Sequence, residues 1–152
     1  MIEQGLLAAI LAIAAGGAAW DIAKRRIPNW LCALLALVCA LYSFQVFGIV
    51  GLGWAALHSV IALVIGMGLF AIGAIGGGDA KFYAAGALAL QLNQALAMFA
   101  VTAFSGLVVL IVMVLGRRFV ARSGYAPAEL RRMQLPYGVA IALGLAITLL
   151  RF

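Results

Sequence analysis

The chain has 152 residues, of which 68% are hydrophobic and 9% charged, with a mean hydropathy of +1.23. A soluble domain carries roughly a quarter of its residues as charges, so this chain cannot cover a water-facing surface and its solvent is lipid. Ten Lys plus Arg against four Asp plus Glu give a formal charge of +6. The basic residues fall in short stretches between apolar runs, so the excess reads as membrane orientation and argues against a nucleic-acid partner.

Six apolar runs follow in chain order, at residues 2–20, 30–47, 53–75, 80–92, 95–116 and 136–150. The first ends in small residues, as a signal peptide does, but residues 1–5 hold Glu3 and no Lys or Arg, so it reads as a retained span. The second carries Cys32 and Cys39 seven apart on one helix face. No CxxC pair exists, and both read as small buried side chains rather than a metal or redox site. In the third, Gly66, Gly68 and Gly73 read as close-packing positions, and His58 as a polar group at the interface. Trp20, Trp30 and Trp54 fit an interfacial aromatic belt.

The fourth run is short, opening at Asp79 and closing on the polar stretch 91–94, which reads as a connecting turn. The fifth is followed by a polar loop at 117–134, with Gly124 and Pro127 as breakers and a short surface helix expected at 128–133. The sixth, opening with Pro136, is also short of the roughly twenty residues of a straight crossing. With the N-terminus outside, six spans gather Lys24, Arg25, Arg26, Lys81, Arg117, Arg118, Arg122, Arg131 and Arg132 on the inner face and leave Arg151 outside. Fusing residues 84–116 into one helix would move five of those arginines across. The expected fold is therefore all-α and integral to the membrane, six transmembrane helices in a single domain over residues 1–152, with the lipid bilayer as partner.

Four acids are available. Glu3 lies at the outer end and Glu129 in the polar loop. Asp21 closes the first run and Asp79 opens the fourth, so the topology puts both at the cytoplasmic boundary, where ionisable groups are functional candidates. Taken singly, Asp21 is also accounted for by pairing with Lys24 or Arg25, and Asp79 by a helix N-cap after a glycine turn. Their coincidence on one face favours a joint role. Two carboxylates around one water hydrolyse an amide without metal or cofactor: one takes the proton of the attacking water, and the other, protonated, holds the carbonyl oxygen. Helix dipoles alone make Asp79, at an N-terminus, the more readily ionised. Gly76, Gly77 and Gly78 free the backbone for close approach by a strand-like substrate; no Gly-Lys-Ser/Thr follows, so they form no phosphate loop.

At these residues the chain resembles the prepilin peptidases, the type IV leader peptidase family of membrane aspartic proteases. Gly76-Gly77-Gly78-Asp79 followed by Ala80-Lys81 matches its GxGD motif, and Asp21 with Arg26-Ile27-Pro28-Asn29 its first aspartate and following loop. Leu135-Pro136-Tyr137-Gly138 resembles the start of its last helix. The nearest likeness is to the short, peptidase-only branch serving tight-adherence (Flp-type) pili, which lacks the added CxxC region of larger relatives, so no N-methyl transfer is expected.

The resemblance implies Asp21 and Asp79 as catalytic residues, no cofactor, and location in a bacterial inner membrane. The implied substrate is a pilin or pseudopilin precursor with a basic leader ahead of a hydrophobic helix, cut on the cytoplasmic side. Lys81 or the Lys24, Arg25 and Arg26 cluster are candidates to meet a substrate glutamate, or serve topology alone, and Pro136 and Tyr137 are candidates for the site's wall. The rival classes are a small transporter or channel subunit relaying protons through the two aspartates, an inactive pilin-binding partner, and another GxGD protease such as a preflagellin peptidase.

Overall fold

The structure, a computed structural model, describes residues 1–122 and 136–151. Its helices are α1 (Ile2–Lys24), α2 (Asn29–Ala71), α3 (Gly77–Ala87), α4 (Ala95–Arg122) and α5 (Tyr137–Arg151), with a 3-10 turn at Leu92–Gln94 before α4. No strand occurs among the described residues. Three segments are long and apolar enough to cross a membrane: Ile2–Lys24, Asn29–Ala71 and Leu92–Gly116. The surface helix expected at 128–133 lies outside the described residues.

At 43 residues, a straight α2 would be about 65 Å long, twice the hydrocarbon thickness. It is not straight. Gly48, at φ 68 and ψ −169, takes a backbone conformation that other residues rarely adopt, and the chain turns back there. On the first arm, Cys32 approaches the Gly78 carbonyl and Ser43 that of Leu88. On the second, Gly51 meets Gln91, Ser59 meets Ala84 and Gly66 meets Ala80. One arm thus runs parallel to α3 and the other antiparallel, clasping it between them.

The clasp answers a problem that lipid imposes. With 11 residues, α3 is only about 16 Å long and ends well short of the far interface. Its last carbonyls have no intrahelical partners and no water. The turn after it tightens, with Ala89 N–H donating to Gly86 O at 3.0 Å and Leu90 N–H to Ala87 O at 3.1 Å. Side chains of α2 supply the rest: Ser43 Oγ donates to Leu88 O at 2.6 Å, Ser59 Oγ to Ala84 O at 2.7 Å, and His58 Nδ1 lies 3.3 Å from Leu90 O. Gln91 Nε2 closes the region on Gly51 O at 3.0 Å. His58 is therefore not an interfacial group; it is 2% exposed, and a carbonyl partner requires the proton on Nδ1.

The core gathers around Phe82 of α3, fully buried with Ile10, Leu35, Met98 and Leu145. Gly17 of α1 makes room for the Phe82 ring, which would lie 2.6 Å from a Cβ there. Helix α5 packs antiparallel to α4 through Gly144 on Thr102 and Ala140 on Gly106. Of the three glycines expected at helix contacts, only Gly66 makes one; Gly68 has open space beside it and Gly73 sits in a turn at φ 75. Cys32 and Cys39 are both buried and unbridged.

Replacing Ser43 by Ala removes one donor to the end of α3. An unfolding titration in mixed micelles is expected to show a loss of about 1 kcal/mol, against no change for Gln45→Ala on the exposed face of the same arm. Equal stability of the two variants would refute this account of the clasp.

Candidate active site

Asp21 occupies the last turn of α1 and is 6% exposed. Its Oδ2 accepts the Gly138 N–H at 2.9 Å, across 117 residues of sequence. The partner is explained by how α5 begins. Pro136 precedes the helix and brings no side-chain acceptor, while the first N–H groups of a helix need one. Asp21 supplies it from another helix, acting as a cap in trans. Gly138 must stay small for this, since a Cβ there would lie 2.9 Å from Asp21 Cβ and 3.0 Å from Oδ2.

After Asp21 the chain reverses. Arg25 is left-handed at φ 55 and ψ 31, its N–H donating to Asp21 O at 2.8 Å. Two residues later Ile27, 6% exposed, wedges between two helix starts. Its carbonyl oxygen would lie 3.3 Å from a Cβ on Gly78, and its Cδ1 3.1 Å from one on Gly138.

Asp79 lies in the first turn of α3, half-buried. Its carboxylate folds back toward Gly76, the capping position three residues before it. A Cβ on Gly76 would stand 2.7 Å from Asp79 Oδ2, whereas one on Gly77 would meet the Phe70 ring at an ordinary 3.4 Å. The first and third glycines are therefore tight and the middle one is not, which is the spacing Gly-x-Gly-Asp. The triplet differs from expectation in one respect: Gly77 and Gly78 are already helical, and only Gly76, at φ −76 and ψ 143, is extended. These glycines serve close approach rather than unusual backbone angles.

The two aspartates thus lie at one end of the bundle, with Ile27 packed on Gly78 next to Asp79 and on Gly138, the partner of Asp21. Each faces a helix N-terminus, Asp79 that of α3 and Asp21 that of α5. The dipole asymmetry expected from α1 alone is offset by α5.

The remaining candidates divide. Lys81 Nζ donates to Asn29 Oδ1 at 3.2 Å, tying α3 to the start of α2 at the same end. Lys24 and Arg26 are exposed, while Arg25 and Pro136 line a hollow of about 270 Å³ against Val108, Val112 and Met113 of α4. Tyr137 joins Asp79 in the lining of a larger cavity of about 740 Å³. Sequence reasoning did not single out Gly138 or Ile27 for the site. Their signal was present in the quoted motifs: a glycine directly after Pro136-Tyr137, and an apolar residue inside a basic turn.

The cap gives a test free of any assay. Asp21→Ala removes the acceptor for Gly138 N–H and is expected to cost about 1 kcal/mol of stability, whereas Asp21→Asn retains an acceptor oxygen and costs less. Thermal unfolding in detergent distinguishes the two, and an alanine variant as stable as the asparagine one would count against the cap.

Neither curated proteins nor solved structures return a significant match to this chain. A family model does: that of the type IV leader peptidase family matches residues 6–111. The matched stretch is more than half of the chain and contains both Asp21 and Gly76-Gly77-Gly78-Asp79, the two halves of the site. With three segments long and apolar enough to cross a membrane, the chain is a membrane protein of the type IV leader peptidase family.

Proposed function

We propose that the protein is an aspartic endopeptidase with Asp21 and Asp79 as its catalytic pair. It removes the basic leader from pilin-type precursors of tight-adherence (Flp-type) pili at the cytoplasmic face of a bacterial inner membrane. One observation carries this: two acids from different helices lie at the same end of the bundle, linked through Ile27, which packs on Gly78 next to Asp79 and on Gly138, the hydrogen-bond partner of Asp21. The mechanism uses one carboxyl ionised and the other protonated. The ionised one takes a proton from water as the oxygen attacks the scissile carbonyl. The protonated one donates to the carbonyl oxygen, and a proton then passes to the leaving nitrogen as the C–N bond breaks.

The orientation follows from charge. Lys24, Arg25, Arg26 and Lys81 share the end of the bundle that holds the two aspartates, so the positive-inside rule makes that end cytoplasmic. The two arms of α2 count as two crossings, α3 with its following turn as one, and α1, α4 and α5 as three more. A proton relay would instead need acids reachable from both faces, and the pair is confined to one. Lys81, Lys24 and Arg26 stand where an acidic residue of the precursor would meet them.

Co-expression with a Flp-type precursor tests the pair. Asp21→Asn and Asp79→Asn are each expected to lower processing by at least about a hundredfold, with Glu3→Gln unaffected; processing retained in either asparagine variant excludes the mechanism. A second expectation concerns the glycines. Gly76→Ala and Gly138→Ala push on a carboxylate and should slow processing by about tenfold to a hundredfold. Gly77→Ala should process at the wild-type rate, and three equal rates would show that the close contacts do not matter.

A further inference from the structure

The cavity of about 740 Å³ that contains Asp79 is a cleft between two halves of the bundle. One wall is the second arm of α2 with α3, and the other is α4 with α5. These walls are held apart because α4 packs on α5 and on the 92–94 turn and barely touches α2. The cleft follows α4 from Ala95 to Leu110, about 22 Å at the helical rise and so most of the hydrocarbon thickness. Its walls are largely apolar, with Ala62, Ile65 and Leu69 on one side and Phe99, Ala103 and Leu107 on the other. His58, Tyr83 and Thr102 are the polar side chains along them. Among the described residues Asp79 is its only carboxylate or cationic group, and it stands at one end, near Tyr137.

We propose that this cleft receives the apolar helix of the precursor, laid between α2 and α4 with the bond to be cut at the Asp79 end. The proposal rests on the peptidase activity proposed above. Three features select the occupant. A chain cut beside Asp79 continues from there in two directions, and one of them is this cleft, which offers no partner to a basic leader. The cleft has nearly the height of the membrane, so it fits a spanning segment rather than a short peptide. Its opening between α2 and α4 faces lipid, where Ile61 and Ile65 on one rim and Phe99 on the other are exposed, so a helix already in the bilayer enters sideways. Ala62 and Ala103, on opposite walls, let its backbone come close, as small residues do where helices pack in lipid.

Photocrosslinking in the membrane tests this with the full chain. A photoreactive phenylalanine analogue is placed at position 99, in the cleft, or at position 104, on the outer face of the same helix, in the Asp79→Asn background with the precursor co-expressed. Crosslinks to the apolar segment of the precursor are expected from 99 and lost at 104. In the active enzyme, Ala62→Trp and Ala103→Trp fill the cleft and should lower processing by about tenfold, with Phe104→Trp unchanged. Equal crosslinking from both positions, or full processing by both cleft-filling variants, would overturn the proposal while leaving the peptidase intact. Cleavage that survives Asp79→Asn would overturn the peptidase and the cleft together.

Discussion

In lipid, a helix that stops short of the interface must find partners for its last carbonyls inside the protein. The clasp of α2 around α3 meets that demand. Ser43, His58 and Ser59 come from two arms that Gly48 folds against each other, and each reaches a carbonyl in or just beyond α3. With its far end fixed, α3 holds its near end in register, and that end carries Asp79.

The second aspartate is held by a different device. Asp21 caps α5 through Gly138 N–H, so the carboxylate proposed for catalysis also joins the first helix to the last. Ile27 packs against the starts of both α3 and α5 and so ties the two ends that carry Asp79 and the partner of Asp21. Three glycines, Gly76, Gly78 and Gly138, are small because a carboxylate or a carbonyl occupies the space a side chain would need. A site of this kind is built by exclusion: bulk is removed around two acids until they share one end of the bundle.

The same packing leaves α4 loosely attached on one side. It packs mainly on α5, touching α3 through Met98 near the 92–94 turn, and a largely apolar cleft remains between it and α2. A compact six-helix bundle with every seam closed would bury Asp79 from any substrate that arrives through the bilayer. In the proposed reading the open seam and the acid at its end belong together, the cleft leading the precursor's helix to the proposed catalytic carboxyl.

Hydropathy and charge, read along the chain, determined the solvent, the helical class, the break near Gly48 and the turn at 91–94, because each depends on a local sum over neighbouring residues. They also singled out Asp21 and Asp79, since acids next to apolar runs are rare and conspicuous. They did not show that Asp21 would find Gly138, that His58 would be buried against Leu90, or that Gly77 is the permissive member of its triplet. They were silent on the cleft as well. Those facts depend on which helices touch and at what height, and contacts across 117 residues leave no trace in a local pattern. Packing alone decides them.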